Sequence, residues 1–275
     1  MAVNLASKYE KKVDERFKLK SLTQSAVNTE YDWNGVNSIN VYSIPTVAMN
    51  DYTKSGTSRY GTAAELDNTV QTMILTRDRS FTFTIDKANT QDTQGVMEAG
   101  KALARQIDEV IVPEIDTYRL AAMSAAATAN GHVATAVISA SNAYSSLLDA
   151  GEALDEKKVP TTGRIAFVKP SFYNLLKLDN SFIKASELGQ KMLVNGQVGE
   201  VDGVKIIKVP SVYLPANTEF LLTIPAATVG AQKLEDYKIH DNPPGINGKL
   251  VEGRKRYDAF VLENKKDAIF VHKNA

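Results

Sequence analysis

A single long helical pattern dominates the first half of the chain and limits the folds that are open to it. From Asp92, a residue type that favours a helix N-cap, apolar side chains recur every three or four positions, and an alanine-rich run extends the pattern to Asn130 and Gly131. About 36 residues at 1.5 Å each would form a rod of roughly 54 Å. We expect this helix to be a spine on which the other elements pack.

Three apolar residues of the predicted spine share one face, and a proline interrupts the pattern after them. Leu103, Ile107 and Val110 recur at helical spacing, so we expect them to form the core face that packs on a sheet. Pro113 lies inside the pattern, where its ring removes one backbone hydrogen bond and crowds the carbonyl of residue 109. The sequence therefore predicts a kink of the spine at Pro113.

Residues 36–86 contain two strand-like segments with a polar segment between them. The segments "VNSINVYSIPTVAMNDY" and "VQTMILTRDRSFTFTID" are rich in β-branched and aromatic residues and predict two long strands. The intervening "TKSGTSRYGTAAELDN" is polar and glycine-containing, with too few apolar side chains for a core of its own. The sequence therefore predicts a β-hairpin that protrudes from the body of the protein.

The second predicted strand has an unusual distribution of charge along one face. This face carries Phe83 and Phe81, then Arg79 and Arg77, and then Leu75. Two arginines in the middle of an apolar face would be unfavourable on the strand's own core, whereas an arm that contacts another subunit would accommodate them. An edge strand with solvent-facing arginines is the alternative interpretation.

The first twenty residues predict a short amphipathic helix. Leu5, Tyr9, Val13 and Phe17 recur every four residues among lysines, an arginine and acids. The apolar face has two candidate partners, which are the core of its own subunit and a neighbouring subunit.

The second half of the chain alternates helix and strand patterns. "SNAYSSLLDAGEALDEKKVP" predicts an amphipathic helix, "RIAFVKP" a buried strand, and "PSFYNLLKL" a further helix behind Pro170. Asp202 and Gly203 separate two strand-like runs, and this dipeptide favours a tight hairpin turn. The closing segment, "KLVEGRKRYDAFVLENKKDAIFVH", predicts two or three strands. The expected fold class is α+β.

Charge and composition exclude several function classes. The chain has 32 basic and 32 acidic side chains, so no single-signed field is present to hold nucleic acid or an anionic membrane. The absence of cysteine excludes disulfides, thiolate zinc sites and cysteine nucleophiles. No signal-peptide pattern and no apolar run long enough to span a membrane is present, so no membrane partner is expected.

A search for catalytic and binding motifs gives no positive result. His132, His240 and His272 lie more than thirty residues apart, and no metal-ligand, phosphate-loop or nucleophile-elbow pattern is present. The stretch "HDNPPGINGKL" could belong to an active-site loop or to a turn that precedes a strand, and its turn residues favour the turn. We therefore expect no catalytic residue, no cofactor-binding residue and no metal ligand.

The order of these segments resembles the major capsid proteins of tailed bacteriophages, of the Hong Kong 97 type. The resemblance covers essentially the whole chain and rests on the amphipathic N-terminal arm and five further segments in order: "SGTSRYGTAAELDNTVQTMILTRDRSFTFTID", "MEAGKALARQIDEVIVPEIDTYRL", "RIAFVKPSFYNLLKL", "GEVDGVKIIKVPSVYLP" and "VEGRKRYDAFVLENKKDAIFVH". The resemblance implies a Hong Kong 97-like fold with five regions. These are an N-terminal arm (1–35), an extended β-hairpin or E-loop with its base (36–89), a spine helix of the peripheral or P domain (90–130), an axial or A domain (131–233) and return strands of the P domain (234–275).

The same resemblance implies which residues contact neighbouring subunits. The candidates are polar and aromatic residues of the hairpin, the two arginines of its second strand and two residues of the arm: Lys54, Arg59, Tyr60, Glu65, Asp67, Arg77, Arg79, Tyr9 and Phe17. Some members of the family also join an E-loop lysine to a neighbour's asparagine. Lys54 and Asn264 have the required residue types, but no acid that would promote the reaction can be identified from the sequence. We do not predict this cross-link.

The implied function is structural. Copies of the chain are expected to form hexamers and pentamers of an icosahedral shell in the virion, enclosing double-stranded DNA without strong or sequence-specific binding, after synthesis in the bacterial host cytoplasm. The expected partners are a portal and a separate scaffolding protein, since the arm and hairpin begin within the first fifty residues, and a decoration protein is a further candidate. Two alternatives stay open: an encapsulin-type compartment, which has the same fold and encloses cargo enzymes, and an α+β hydrolase with an unrecognised carboxylate site.

Overall fold

The computed structural model describes residues 20–33, 36–63, 65–92, 98–185 and 199–275. The predicted amphipathic helix of the N-terminal arm, including Tyr9 and Phe17, lies outside the described residues. The architecture is therefore given from residue 20 onward.

Strands and helices alternate along the described chain. The first part contains strands β1 (Ser38–Ser43), β2 (Thr69–Ile74) and β3 (Arg77–Asp86), helices α1 (Lys87–Asp92) and α2 (Ala99–Gln106), a π-helical turn (Ile107–Ile111) and helix α3 (Val112–Ala129). The middle part contains β4 (Val133–Thr135), α4 (Ala143–Glu156), β5 (Arg164–Val168), α5 (Pro170–Leu178), α6 (Asn180–Ala185), β6 (Glu200–Val201), β7 (Val204–Lys208) and β8 (Thr218–Thr223). The last part contains β9 (Thr228–Asp241), β10 (Gly248–Val261) and β11 (Phe270–Lys273).

Within the described residues the strands form three separate sheets. Strands β1 and β2 pair antiparallel as a two-stranded sheet, and β10 lies between β3 and β9 in an antiparallel three-stranded sheet. The third sheet is mixed and has the strand order β4-β11-β8-β5-β7-β6. Its β6–β7 hairpin has the predicted tight turn, because Asp202 and Gly203 both have positive φ angles, of 50° and 73°.

The six-stranded sheet lies between two apolar layers. On one face, Leu147, Leu154 and Phe172 of α4 and α5 pack with Phe220 of β8. On the other face, α3 contributes a second cluster that contains Leu120, Met123 and Ala127 together with Phe167, Leu221 and Val271 of the sheet. Because both of its faces are covered, β5 is buried along its whole length, as the apolar run "RIAFV" predicts.

The predicted closing region is divided between two sheets. Strand β9 begins at Thr228 and therefore crosses the predicted boundary between residues 233 and 234, and β10 pairs with β9 along its length. Strand β11 pairs instead with β8 and β4 in the six-stranded sheet. The division of the chain into named axial and peripheral domains stays a prediction.

The second strand of the predicted hairpin is two strands, not one. Ile74 at the end of β2 pairs with Ser38 of β1, whereas Arg77 at the start of β3 pairs with Tyr257 of β10. Leu75 and Thr76 connect the two, and we call these two residues the hairpin joint. The expectation of one continuous strand from residue 70 to 86 is wrong, because the ladder partner changes at the joint.

The predicted spine begins later than the sequence pattern indicates. Asp92 is the last residue of α1, and the N-cap of α2 is Glu98, whose backbone is extended (φ −87°, ψ 131°). From Ala99 the helix continues through α2, the π turn and α3 with eight, five and eighteen residues, which gives about 46 Å at 1.5 Å per residue. A long spine is therefore present, and its predicted start at Asp92 is wrong.

The spine departs from regular geometry immediately before the proline. The Val112 N–H donates to the Ile107 carbonyl five residues earlier, and Ile111 and Val112 keep helical φ and ψ angles. A π turn has a wider ring than an α-turn, which relieves the crowding of the carbonyl of residue 109 by Pro113. The predicted irregularity thus takes the form of a π turn at Ile107–Ile111, and a kink at Pro113 itself stays a prediction.

The predicted core face of the spine is only partly correct. Leu103 packs against the small cluster of Ile85, Ala99 and Val251 and is half-buried, as is Ile107. Val110 is 46% exposed, so its prediction as a core residue is wrong for the single chain. The reason is the extra residue of the π turn, which rotates the apolar stripe by about 100° relative to the stripe that precedes it.

Candidate assembly surface

The loop between β1 and β2 is exposed along its length. Every described residue from Ile44 to Asn68 is exposed except the half-buried Gly61. Met49 is 99% exposed and Tyr60 85% exposed, and the other large apolar side chains on this loop are Ile44, Val47, Tyr52 and Leu66. This segment has the surface of a contact site, because large exposed apolar patches mark interaction surfaces in soluble proteins.

A few contacts are formed within the loop itself. The rings of Tyr52 and Tyr60 meet edge to face with centroids 5.1 Å apart, and the Thr53 N–H donates to the Arg59 carbonyl at 3.1 Å. Arg59 Nε also donates to the Gly56 carbonyl at 3.1 Å. The loop residues belong to none of the buried apolar clusters of the described chain. The predicted absence of a core in this segment is therefore confirmed.

The structure places the predicted hairpin contacts on the surface. Lys54, Arg59, Tyr60, Glu65 and Asp67 are all exposed on this loop. They are available to a neighbouring molecule, and their contact with one stays a prediction.

The base of the hairpin is packed, in contrast to its loop. Met73 and Leu75 are buried with Trp33, Val229, Ala231 and Leu262, and the Trp33 ring stacks on Phe260 at 5.7 Å. Trp33 is the single tryptophan of the chain. The hairpin is therefore held to the body by an apolar cluster at its base.

Polar contacts fix the same base. Gln71 donates from Nε2 to the Val261 carbonyl at 2.8 Å, and its Oε1 accepts from the Glu263 N–H at 3.0 Å. Asn264 donates to the Ser43 hydroxyl. Asn264 therefore lies at the base of its own hairpin, while Lys54 lies on the exposed loop.

Asp258 of β10 lies at the hairpin joint and is 4% exposed. Its Oδ2 accepts from the backbone N–H and the hydroxyl of Thr76 at 2.8 and 2.9 Å. Its Oδ1 accepts from the Tyr118 hydroxyl of α3 at 2.7 Å and from the Ala259 N–H at 2.9 Å. Burial, with the hydrogen bond to Asp258, raises the pKa of Tyr118, so its phenol remains a donor. One carboxylate thus joins the hairpin, the spine and β10.

The two arginines next to the joint have partners within their own chain. The Arg77 guanidinium lies over the Tyr118 ring at 4.6 Å, and Arg79 Nε donates to Glu114 at 2.8 Å. Glu114 also accepts from the Tyr257 hydroxyl at 2.8 Å. The expectation that two arginines on this face would be unfavourable on their own subunit is wrong, because the spine supplies an acid and an aromatic ring; the alternative interpretation is correct in that β3 is an edge strand with exposed arginines. Both remain exposed, and their contact with a neighbour stays a prediction.

A second buried polar site holds residues 21–24, which belong to the predicted N-terminal arm. Asp116 of α3, 1% exposed, accepts from the Ser21 hydroxyl at 2.8 Å, the Leu22 N–H at 2.8 Å and the Thr23 hydroxyl at 2.5 Å. One turn later, Arg119 donates to Thr23 Oγ1 at 3.2 Å and to Gln24 Oε1 at 3.1 Å. Burial lowers the pKa of Arg119, and Asp116 partly offsets this. The spine therefore binds this part of the predicted arm.

The sequence search did not identify Asp116, Asp258 or Trp33. All three are single residues whose partners lie far away in the chain; Asp258, for example, is 182 residues from Thr76. Val112, Leu120 and Met123 lie at helical spacing from Asp116, and an acid on an apolar helix face is a weak sequence signal of a buried carboxylate.

The histidines and acids do not converge on a site. His240 Nε2 lies 3.3 Å from Glu252 across the β9–β10 pair, His132 Nε2 lies 3.6 Å from Asp267, and His272 is buried and stacked on Phe220. Among the described residues, no three His, Asp or Glu side chains are close enough together to hold a metal ion. The stretch at His240 is the β9–β10 connection, in which Asn242 and Gly245 have positive φ angles, so the predicted turn is confirmed.

Among the residues that the structure describes, none of the helices combines the length and the apolar character that a bilayer crossing requires.

The sequence matches one protein-family profile, and the fold matches several solved structures. A family profile described as phage capsid protein matches residues 65–270. No protein of curated function matches the sequence. Among solved structures, a chain of Mycobacterium phage Che8 is 17% identical with a TM-score of 0.75, and the match covers 98% of both chains.

Two further structures have the same fold. The capsid structure of Cyanophage P-SCSP1u matches with a TM-score of 0.80 at 13% identity, over 98% of this chain and 93% of that one. The mature capsid of bacteriophage PhiM1 matches with a TM-score of 0.75 at 14% identity, over 98% of this chain and 92% of that one. The predicted α+β fold of phage capsid proteins is therefore confirmed.

Proposed function

The chain belongs to the phage capsid protein family, and on that premise we propose that it is the subunit from which a tailed bacteriophage builds its icosahedral head around double-stranded DNA. The function is structural, as copies of the chain assemble with one another into a shell. In the proposed head these copies are arranged as hexamers and pentamers, since closed shells reuse one set of contacts at every subunit.

One observation carries this proposal, which is the exposed loop between β1 and β2. Soluble monomers rarely expose so many large apolar side chains on one segment, and this loop presents Met49, Tyr60 and four others to water. Covering these side chains with a neighbouring subunit removes apolar surface from water at about 25 cal/mol per Å². Because every subunit repeats the contact, even a weak interaction of this kind stabilises a closed shell.

The charge balance supports a container for DNA without tight binding of the DNA. With 32 basic and 32 acidic side chains, the subunit has no net attraction for the phosphate backbone. We propose a separate scaffolding protein and a portal as assembly partners, a decoration protein as a further candidate, and synthesis in the host cytoplasm before incorporation into the virion.

The proposed role is not enzymatic. The match to a capsid family supports a structural role over the hydrolase alternative. The family match favours a phage head over the encapsulin alternative.

The experiment that tests this function shortens the loop. Replacing residues 44–68 with a short Gly-Ser turn between the paired Ser43 and Thr69 removes all six exposed apolar side chains of the loop and leaves the buried base intact. We expect sedimentation to show shells for the natural chain and only small species for the shortened chain, with a nearly unchanged melting temperature. Ser58→Ala, a change within the same loop that removes one hydroxyl, is the control and is expected to assemble normally.

Two results would overturn the proposed role of the loop. Normal shells from the shortened chain would show that assembly does not use this segment. Unfolding of the shortened chain would show that the segment supports its own subunit instead.

A further inference from the structure

The chain passes from the hairpin to β3 through a joint of only two residues. Strand β2 ends at Ile74 and β3 begins at Arg77, so only Leu75 and Thr76 separate the two sheets. The six residues of β2 alone extend about 20 Å from this joint at 3.3 Å per residue. A rotation of about 10° at the joint would therefore displace the exposed loop by roughly 3.5 Å. Contacts with a neighbour depend on the angle of the joint.

The two carboxylate oxygens of Asp258 accept hydrogen bonds from different parts of the structure. Oδ2 accepts both donors of Thr76, which belongs to the joint, whereas Oδ1 accepts from Tyr118 of the spine and from the backbone N–H of Ala259 on β10. All four contacts have donor–acceptor distances between 2.7 and 2.9 Å, so each oxygen is fully used. An ionised carboxylate has two acceptor oxygens and no donor, which is what four donors from three elements require.

The spine holds the other side of the same joint. Glu114 and Tyr118 lie one helical turn apart on α3, and they contact Arg79 and Arg77, the first residues of β3 on this face. The same short stretch of α3 therefore contacts the joint in two ways: Tyr118 binds Asp258, which holds Thr76, and Glu114 and Tyr118 contact the arginines that follow the joint. The apolar base cluster and the hydrogen bonds of Gln71 and Asn264 also hold the hairpin to the body, but none of these contacts involves the spine.

We propose that Asp258 is a positioning residue that sets the angle of the hairpin relative to the spine, and that this angle determines the curvature of the shell. The proposal rests on the proposed function, in which the hairpin contacts a neighbour. A change in this angle moves the contact site on every subunit by the same amount, so a small local rotation changes the angle between neighbours throughout the shell.

The angle can be measured within one subunit. Because the chain has no cysteine, Ser58→Cys on the loop and Ala125→Cys on the exposed face of α3 can be spin-labelled selectively. Diluting the labelled chain with excess unlabelled chain ensures that the distance between the two labels is measured within one molecule. A second pair, Ala125→Cys with Lys157→Cys at the end of α4, reports on the body alone.

Two variants disrupt the joint and one serves as the matched control. Asp258→Asn places an amide donor where an acceptor oxygen was, and Tyr118→Phe removes one donor while keeping the ring. In both variants we expect the loop-to-spine distance distribution to broaden and shift, the body pair to remain unchanged and the shells to change in diameter. Asp241→Asn is the matched control: it alters an exposed carboxylate of β9 that lies 3.6 Å from Lys249 at the opposite end of the three-stranded sheet, and it is expected to change none of these.

The outcomes separate the inference from the proposed function. If the natural chain forms no shells, the proposed function fails, but the label distances still test the joint. If Asp258→Asn and Tyr118→Phe melt at lower temperature yet keep the loop distance and the shell diameter of the natural chain, Asp258 is only a stabilising residue and the inference is overturned. Should Asp258→Asn fail to fold, Tyr118→Phe decides between these results.

Discussion

Removing the carboxylate of Asp116 is the most informative perturbation of subunit stability. This carboxylate is buried and accepts three hydrogen bonds, from Ser21, Leu22 and Thr23. It is also the charge that partly offsets the effect of burial on the neighbouring Arg119. In Asp116→Ala the three donors lose their acceptor, and the buried guanidinium loses its nearby negative charge.

The expected size of the effect follows from these contacts. Leaving one member of a buried charged network without its partner costs about 3–5 kcal/mol of unfolding free energy. At about 2–4 °C per kcal/mol for a chain of this size, the melting temperature should fall by roughly 6–20 °C. Asp116→Asn keeps one acceptor oxygen and the same shape, so we expect a smaller loss of about 1–3 kcal/mol.

Thermal and denaturant unfolding of the purified variants measure these differences directly. Glu152→Ala removes an exposed acid of α4 and provides the control, with an expected change within about 0.5 kcal/mol. If Asp116→Ala is as stable as Glu152→Ala, the segment at residues 21–24 does not depend on the spine for its position. The buried hydrogen bonds described above would then not contribute to the fold.

Three further predictions concern the sheet, the spine and pH. Gly253→Ala would place a Cβ 2.2 Å from Phe81 Cε1, so we expect a loss of about 1–3 kcal/mol in denaturant unfolding, whereas Gly100→Ala, in open space on α2, should be neutral or stabilising. Pro113→Ala restores a backbone hydrogen-bond donor in the spine, so we expect a stable subunit that forms fewer shells of the correct size. An unchanged distribution of shell sizes in electron micrographs would contradict this prediction. Burial lowers the pKa of His272 in the folded chain below its usual 6.5, so the unfolded chain takes up the proton first as the pH falls. The contribution of neutral His272 to the unfolding free energy should be full above about pH 6.5 and be lost as the pH falls from there through the pKa of the folded chain, and His272→Gln should abolish this part of the pH dependence in melting curves.

The local patterns of the sequence predicted much of this fold. The exposed loop follows from a polar segment that cannot form a core, and the β6–β7 turn follows from Asp202 and Gly203. The buried strand β5 follows from its unbroken apolar run. In each case the determining interactions lie within a few residues, which is why a local pattern is sufficient.

The features that the sequence did not reveal depend on distant partners. The division of the second hairpin strand at Thr76 depends on Asp258, and the positions of Arg77 and Arg79 depend on Tyr118 and Glu114 of the spine. Val110 was misplaced because a π turn changes the helical period without any change in residue type. Nothing in the residues next to Thr76 or Val110 indicates these partners or this period.

The most direct test of the central claim is an electron-microscopic reconstruction of the particles that the purified chain forms. We expect closed shells in which the loop at residues 44–68 of each subunit lies on a neighbouring subunit and its apolar side chains, Met49 and Tyr60 among them, are covered. A chain that remains monomeric with its predicted assembly partners present, or shells in which this loop contacts only its own subunit, would show that the loop is not an assembly contact.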